Sequence, residues 1–394
     1  MRMIPTINRL GLLAGLTMAI TSPAAAQQQV NLYTTREPGL IKPLLEQFTK
    51  TTGIKVNTVF VKNGLGERVR AEGKRSPADV LMTVEFGMAL LFDILRVNRL
   101  KAIVLNPAPL NITSEFPSAM PPLPNGFPFQ AAYNRFTYRF VKRMGWMVMG
   151  GARNQIATDH LGLPKSKLKD YQQFLADTPA LTTVSEHVVK RPADWPEHFQ
   201  ITGYLFDDDD NWEPPQDLVD FLAAGEKPVY IGFGSMPDSK PEATTRTLID
   251  AVQQTGKRAV ILTGWAGFHA DNAPKNVHFL KYAPHSWLFP QMAAVVHHGG
   301  AGTTASGLRA GVPTVIVPHN GDQPYWGRHV KELGVGTAPI PRKKLTADKL
   351  AAAIIEATSD QTIREKASQL GKLISTEDGL RKTVQVTQAF LANF

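Results

Sequence analysis

Short apolar runs alternate with amphipathic segments along the second half of the chain. The apolar runs, which predict buried strands, cover residues 228–233, 258–263, 277–280, 293–296 and 314–317. The amphipathic segments have helical spacing and cover residues 242–255, 324–333, 347–357 and 361–373. This alternation predicts a doubly wound parallel sheet with helices on both faces. Ligands of such a sheet bind beyond the carboxyl ends of its strands, so the residues that follow each run are the candidate site.

The first half of the chain also has an α/β pattern, but in two parts. Strand-like segments enclose two amphipathic ones and predict a βαβαβ unit, at residues 30–36, 40–51, 54–61, 66–73 and 78–83. From about residue 96 the pattern changes to a strand, a proline-rich loop, a helix and a strand, at residues 102–105, 107–128, 133–149 and 180–184. The acidic run Asp207–Asp210 predicts the start of a linker, because consecutive carboxylates in a loop do not converge on a metal.

Composition excludes several classes of site. With 43% apolar and 20% charged residues the chain is typical of soluble proteins, and no later stretch is long and apolar enough for a transmembrane helix. The net charge of +9 suits an anionic ligand, but the basic residues are scattered and do not cluster with aromatic ones, which disfavours nucleic acid as a partner. The absence of cysteine excludes disulfides, zinc-thiolate sites and cysteine nucleophiles.

The N-terminus has the order of zones that a secretory signal requires. Arg2 and Arg9 flank a short first region, Leu10–Ile20 is an apolar core too short to span a bilayer, and Ala24–Ala26 forms a cleavage site. We expect a signal peptide at residues 1–26 and export to the periplasm, with a buried N-terminal helix as the alternative. If this start does not belong to the rest of the chain, a cytoplasmic location is expected instead.

The segment Val296–Thr304 carries the clearest chemistry. It leads from a predicted strand through Gly299, Gly300 and Gly302 into a predicted helix, whose first N–H groups and positive dipole end favour an anion. Glycine permits positive φ and close approach of the backbone to a ligand. Thr303 offers a hydroxyl at the helix start, and His297 lies at the lip of the turn. We therefore predict a phosphate cradle.

The residues around this turn extend the motif. Tyr282–Pro290 precedes the strand, Gly311–Pro318 supplies the next one, and Gly321–Pro324 follows. Over Tyr282–Gly327 the chain resembles the nucleotide-sugar signature of family 1 glycosyltransferases, most closely the sterol-glucosyltransferase-like and antibiotic-glycosylating branches. The resemblance implies a GT-B-like fold, with a Rossmann-like donor-binding domain at residues 213–394 and a truncated acceptor domain at residues 91–212.

The resemblance also implies an activity and roles for single residues. The activity is inverting transfer of a hexose, glucose first, from a nucleotide diphosphate sugar to a lipophilic hydroxyl acceptor such as a sterol or polyketide, with no cofactor and no metal. His297 would contact the β-phosphate and stabilise the leaving group, while His298 would be structural. The expected donor-binding residues are Ser235, Tyr282, His285, Gly299, Gly302, Thr303, Asp322 and Gln323. Of these, Gly302 and Thr303 would contact the α-phosphate, Asp322 and Gln323 the sugar hydroxyls, and Tyr282 and His285 the base and ribose.

Two departures from that family leave alternatives open. Ala305 stands where plant-type members carry a glutamate that grips the ribose, so UDP-glucose comes first but dTDP-sugars stay possible. The N-terminal histidine that deprotonates the acceptor has no counterpart, and the general base is unknown. The chain is therefore expected to be a glycosyltransferase, or else an inactive remnant that binds nucleotide without turnover.

A different resemblance covers residues 27–87, within a predicted domain of residues 27–90. Tyr33–Pro38, Thr52–Val56 and Ser76–Val80 are similar to the start of periplasmic ferric-iron-binding proteins of ABC importers, which implies an apparent fusion with its junction near residues 85–98. Tyr33 matches a possible iron ligand of that family. A single tyrosine cannot close an iron site, so we favour Tyr33 as a packed strand residue. Ferric-iron binding remains the alternative function.

Overall fold

A computed structural model describes residues 29–35, 38–62, 64–72, 76–78, 80–82, 102–118, 120, 122–124, 126–159, 162–206, 208, 212–234, 236–264, 267–268 and 273–392. The predicted signal peptide, the predicted junction near residues 85–98 and Ser235 lie outside these residues.

The strands are β1 Gln29–Thr34, β2 Lys55–Phe60, β3 Val80–Met82, β4 Val104–Asn106, β5 Ala180–Thr182, β6 Phe199–Ile201, β7 Val229–Gly232, β8 Ala259–Leu262, β9 Val277–Leu280, β10 Ala294–His297 and β11 Thr314–Ile316. The helices are α1 Pro38–Thr52, α2 Leu65–Glu72, α3 Gln130–Asp159, α4 Leu168–Asp177, α5 Gln216–Ala223, α6 Pro241–Thr255, α7 His285–Leu288, α8 Ala301–Arg309, α9 Gln323–Leu333, α10 Ala347–Ser359, α11 Gln361–Ser375 and α12 Gly379–Ala392. Short 3₁₀ turns cover Phe289–Gln291 and Arg342–Lys344.

The N-terminal βαβαβ unit forms as predicted. Its three strands are parallel and lie in the order β2-β1-β3. Leu32 of β1 packs against Ile41 and Leu45, which lie one turn apart on α1. The spacing of four residues thus places the apolar side of α1 on the sheet.

The C-terminal sheet holds five parallel strands in the order β11-β10-β7-β8-β9. Alternate residues of β7 face opposite sides, with Val229 and Ile231 in one apolar core and Tyr230 in the other. Leu248 of α6 and Ile354 of α10 belong to the first core. Because helices cover both faces, the predicted doubly wound sheet is confirmed.

The strand order of this sheet reverses at β7. From β7 the chain first builds outward through β8 and β9, then returns to the other side for β10 and β11. The reversal leaves a crevice between the carboxyl ends of β7 and β10, which is where ligands of such sheets bind. The residues that follow these two strands therefore define the candidate site.

The middle of the chain differs from expectation mainly in α3. We predicted a helix at residues 133–149, but α3 continues to Asp159. The pair Gly150–Gly151 does not end it, because the indole of Trp146 lies against Gly150, 2.9 Å from the position of an added Cβ. Strand β6 and helices α4 and α12 were not predicted. Among the helices described, none combines the length and apolar character needed to cross a bilayer.

The chain forms two compact units, residues 1–104 with 140–180 and 383–394, and residues 105–139 with 181–382. The second unit joins part of the predicted acceptor segment to the C-terminal sheet. Arg328 of α9 donates to the carbonyl of Met120 at 3.1 Å, and Nε2 of His329 contacts the carbonyl of Val188 at 2.6 Å.

Candidate functional site

The glycine turn after β10 forms the predicted cradle. Gly299 has φ of 89°, and a Cβ there would lie 2.6 Å from Cγ2 of Ile316, so both conformation and space require glycine. Gly300 caps α8 without a side-chain hydrogen bond. The first N–H groups of this helix therefore have no intrahelical acceptor and point at the end of the sheet.

The space beside the first turn of α8 contains no atoms of the described residues near Gly302. A Cβ on Gly302 would meet no atom within 4 Å, and Thr303 is half-buried. Thr304 is instead fully buried, and its hydroxyl donates to the carbonyl of Gly300 at 2.9 Å. The cradle thus presents Gly302 and Thr303 to a ligand and uses Thr304 to hold the turn.

His298 lies in the crevice where the strand order reverses. A Cβ on Gly234, just after β7, would come within 2.9 Å of Cε1 of His298, and one on Gly300 within 2.5 Å of Nε2. Glycine on both sides therefore makes room for this imidazole. Nδ1 of His298 is buried and has no hydrogen-bond partner among the described residues. Its Nε2 lies on the side of the cradle.

His297 is the last residue of β10 and has no exposed surface. Its Nδ1 accepts the N–H of Gly299 at 3.0 Å, which fixes the ring proton on Nε2. That Nε2 is buried and lacks a partner among the described residues. His297 is therefore buried and does not lie at the lip of the turn, whereas His298 lies in the crevice; the expected contact of His297 with the β-phosphate stays a prediction, for which its Nε2–H is available.

Four histidines meet at this edge of the sheet. Burial, together with the charge of His319, lowers the pKa of His298 to about 4. Burial and the charge of His298 lower the pKa of His285 to about 4. The pKa values of His297 and His319 are also lowered, chiefly by burial. At neutral pH the crevice therefore offers neutral imidazoles, which act as hydrogen-bond donors and acceptors and not as fixed charges.

His319 was not predicted as part of this site. It follows β11, its Nδ1 contacts the carbonyl of Val317 at 2.9 Å, and its ring lies edge-on to Phe233, with 5.2 Å between the ring centroids. The rule that residues following parallel strands meet at one edge would have found it.

Asp322 starts α9 and lies partly buried. Its Oδ2 accepts the indole N–H of Trp326 at 3.0 Å. Burial raises the pKa of the Asp322 carboxyl, although the Trp326 hydrogen bond opposes the shift. Oδ1 takes no part in the Trp326 hydrogen bond and can accept a hydrogen bond from a ligand, as the prediction of a sugar-hydroxyl contact requires.

Gln323 holds its own turn, and its predicted contact with a sugar hydroxyl stays a prediction for the amide nitrogen alone. Its side chain is 5% exposed, and Oε1 already accepts the N–H groups of His319 at 2.7 Å and Asn320 at 3.1 Å. Its Nε2 lies 3.5 Å from the sulfur of Met236. The amide oxygen therefore stabilises the turn before α9, and only the amide nitrogen can serve a ligand.

Tyr282 and His285 lie beyond the carboxyl end of β9. The side chain of Tyr282 is 57% exposed. The ring of His285 stacks on Phe289, with 4.3 Å between the ring centroids, and lies edge-on to Tyr230. The predicted contact of these two residues with the base and ribose stays a prediction, and the exposed ring of Tyr282 is accessible to a planar base.

Among the described residues, no group of three or more histidine or acidic side chains has an arrangement that could hold a metal ion. Tyr33 is 2% exposed, and its hydroxyl donates to Glu72 at 3.0 Å. The guanidinium of Arg68 lies 4.9 Å from the centre of its ring. These contacts describe a packed strand residue.

On the acceptor side of the second unit, Asp194 is an anchor for a loop. It accepts hydrogen bonds from Thr113 at 2.6 Å and from Ser114, and it pairs with Arg135 at 3.2 Å. Burial opposes ionisation, but these hydrogen bonds lower the pKa of Asp194 to about 2. Such a carboxylate is a poor base.

Comparison with known proteins finds glycosyltransferases among the similar sequences and structures. Residues 246–378 match the family described as "Erythromycin biosynthesis protein CIII-like, C-terminal domain". The chain is 40% identical over 280 residues to the sterol 3-beta-glucosyltransferase UGT80A2 of Arabidopsis thaliana. The matched region covers 70% of this chain and 43% of that protein. The chain therefore spans less than half the length of this relative.

Two solved structures share the fold. The glycotransferase of kitacinnamycin superposes with a TM-score of 0.64 at 18% identity, covering 93% of this chain and 99% of the other. Arabidopsis thaliana UGT89C1, in complex with UDP, superposes with a TM-score of 0.61 at 14% identity, covering 93% and 92%. The protein has the GT-B glycosyltransferase fold.

Proposed function

We propose that this chain, a GT-B protein related to the sterol glucosyltransferases of family 1, transfers a hexose from a nucleotide diphosphate sugar to a lipophilic hydroxyl acceptor. UDP-glucose is the first candidate donor and a dTDP-sugar the second. The observation that carries the proposal is the position of His298, between Gly234 and Gly300 and beside the uncapped start of α8. A diphosphate in this crevice would meet the imidazole and the free N–H groups together.

The same groups explain how transfer would proceed. As the bond from the anomeric carbon to the diphosphate breaks, negative charge develops on the departing phosphate oxygens. The N–H groups of α8 and an imidazole N–H of His298 would donate to those oxygens from positions that the fold already sets, which lowers the barrier to transfer. Asp322 would orient the sugar through its free carboxylate oxygen, and Tyr282 with His285 would hold the base.

Deprotonation of the acceptor is a separate requirement. Two histidines of the predicted acceptor segment have other contacts: Nε2 of His187 lies 3.8 Å from Glu377, and the ring of His198 lies against Phe199. Asp194 is too acidic to act as the base. Donor binding and turnover therefore need separate experiments.

The binding experiment is calorimetric titration of the purified chain with UDP, UDP-glucose and dTDP-glucose. We expect UDP-glucose to bind most tightly, and the His298→Ala variant to weaken binding by about 1–3 kcal/mol, as for loss of a hydrogen bond to a charged group. His278→Ala is the matched control, because this histidine is also partly buried but packs against Phe221 of α5. If none of the three nucleotides binds, the proposal fails.

The turnover experiment uses UDP-glucose labelled in the sugar, with a sterol and a polyketide alcohol as acceptors. A labelled lipophilic product that disappears with Asp322→Asn but not with Asp250→Asn, a change at an exposed site on α6, supports transfer. Binding of UDP-glucose without any product would instead identify a nucleotide-binding remnant.

We also propose that residues 1–26 direct export and that residues 27–90 come from a binding protein. The strand order β2-β1-β3 of the N-terminal sheet supports an origin of residues 27–90 in a binding protein. In this order the first strand is central, whereas in the 3-2-1 order of dinucleotide-binding halves the second strand is central. Sequencing the source DNA across residues 85–98 tests the fusion, since two separate intact reading frames would refute it. A secreted form beginning at Gln27 in a mass measurement would support export, and an uncut cytoplasmic chain would contradict it.

A further inference from the structure

Helix α3 exposes an apolar surface in its central part. Phe140, Val141 and Met144 are each 41% exposed, Met147 is 67% exposed and Val148 76% exposed. Their spacing of three or four residues places them along one side of the helix, which we call the α3 apolar face. Contiguous exposed apolar side chains of this kind mark a binding surface.

The opposite side of the same helix is firmly packed, so the orientation of the α3 apolar face is fixed. The guanidinium of Arg153 lies 4.6 Å from the centre of the Trp146 ring and 5.7 Å from that of Tyr171 on α4. Trp146 and Arg153 lie on the side of α3 opposite Met144, so the α3 apolar face points away from the packing with α4.

The charge around this face has one sign. Residues 116–158 include no aspartate or glutamate, whereas they include Arg135, Arg139, Lys142, Arg143 and Arg153. Arg139 and Arg143 are exposed, lie one turn apart on the edge of the α3 apolar face, and form no ion pair with the described residues. An apolar stripe edged by arginines, with no acid on the helix before Asp159, is complementary to an anionic surface.

We propose that the α3 apolar face docks on an anionic lipid bilayer. A helix with this arrangement lies in the interface, with its apolar side in the acyl boundary and its arginines reaching the phosphates. A second copy of the chain fits less well, because its α3 would offer no acidic residue to the arginines of the first. The inference rests on α3 alone and does not depend on the proposed donor site.

Cosedimentation with vesicles tests the proposal. We expect the full chain to bind phosphatidylcholine vesicles containing about one third phosphatidylglycerol and to bind pure phosphatidylcholine weakly. Met147→Glu/Val148→Glu should weaken binding at least about tenfold, because two buried apolar contacts become charges facing an anionic surface. Arg139→Gln/Arg143→Gln should weaken it by about fivefold for each arginine and reduce its salt dependence.

The matched control is Ile355→Glu/Leu373→Glu, which alters two apolar side chains that are each 46% exposed, on α10 and α11. We expect this control to bind like the unchanged chain. Every variant keeps the same N-terminus. If vesicle binding survives all the substitutions, it takes place through residues 1–28 or another part of the chain, and the assignment to the α3 apolar face is overturned.

A second readout uses the absence of cysteine. Met147→Cys provides a single labelling site, and an environment-sensitive dye there should shift to the blue only when anionic vesicles are added. The same dye at Ile355→Cys should not shift. A dye at position 147 that is already shifted without vesicles, with no vesicle binding, would mean that another part of the chain covers the face. A dimer that dissociates in Met147→Glu/Val148→Glu, again without vesicle binding, would mean that a second copy covers it.

Discussion

Binding of a nucleotide sugar should take up a proton at His298, and this gives a quantitative test of the crevice. In the empty site burial and the charge of His319 hold the pKa of His298 at about 4. A diphosphate beside Nε2 favours the charged imidazolium and raises that pKa, because an opposite charge within hydrogen-bond reach stabilises the charged form. Affinity should therefore increase as the pH falls from 7.5 towards 5.

The magnitude follows from the two protonation states. If the diphosphate returns the pKa of His298 to its ordinary value of about 6.5, the affinity at pH 5.5 exceeds that at pH 7.5 by about tenfold. The same shift predicts uptake of about 0.9 proton per bound donor at pH 5.5, and about 0.1 at pH 7.5. The sign is fixed, because the complex holds the proton more tightly than the free protein does.

Calorimetry in two buffers with different ionisation enthalpies measures both quantities. UDP-glucose is the right ligand, since its diphosphate is a diester and keeps both charges across this range. His298→Gln should abolish the pH dependence and the proton uptake. His285→Gln is the necessary companion, because the pKa of His285 is also about 4 and is lowered in part by the charge of His298. Affinity that is constant from pH 7.5 to 5.5, or proton uptake that persists in His298→Gln, would refute the reasoning.

Three further substitutions test the architecture of the site. His297→Ala should lower the free energy of unfolding in urea by about 2–4 kcal/mol, because it creates a cavity and removes the acceptor of the buried Gly299 N–H. An unchanged unfolding midpoint would contradict the burial of His297. Gly302→Ala should leave the free energy of unfolding unchanged or raise it by up to about 1 kcal/mol, since the added methyl meets no atom of the protein. The affinity for UDP-glucose should fall, because the methyl occupies the space of the ligand. Unchanged affinity would mean that the donor binds elsewhere. Gly336→Ala should destabilise by more than about 2 kcal/mol without a specific effect on binding, because its Cβ would overlap the carbonyl of Thr314, and a normal thermal unfolding curve would disprove that contact.

Much of the donor half could be predicted because its signals are local. Continuous apolar runs identify buried parallel strands, as at β7 and β8, and the glycines after β10 identify the turn. The doubly wound sheet, the cradle and the openness at Gly302 follow from these patterns. What local patterns do not contain is strand order, and strand order decides that His298 meets Gly234.

Side chains whose contacts stabilise the fold, and do not bind a ligand, were harder to predict. Gln323 stands in a motif that suggests a ligand contact, yet its oxygen accepts two backbone N–H groups of the preceding turn. The length of α3 was underestimated because a glycine pair usually weakens a helix, whereas here Trp146 packs on Gly150. Both cases depend on contacts made only after the chain has folded.

The different positions of His297 and His298 come from a single residue of strand length. We predicted a strand at residues 293–296, but β10 runs from Ala294 to His297, and His297 pairs with Gly232 of β7 and Ile316 of β11. A residue inside a central strand of a sheet covered on both faces is buried whichever way its side chain points. The first residue beyond the strand is the one that can turn into the crevice. We therefore propose His298 for the diphosphate contact, while His297 stays the prediction made from the motif, and comparison of UDP-glucose affinity between His297→Ala and His298→Ala decides between them.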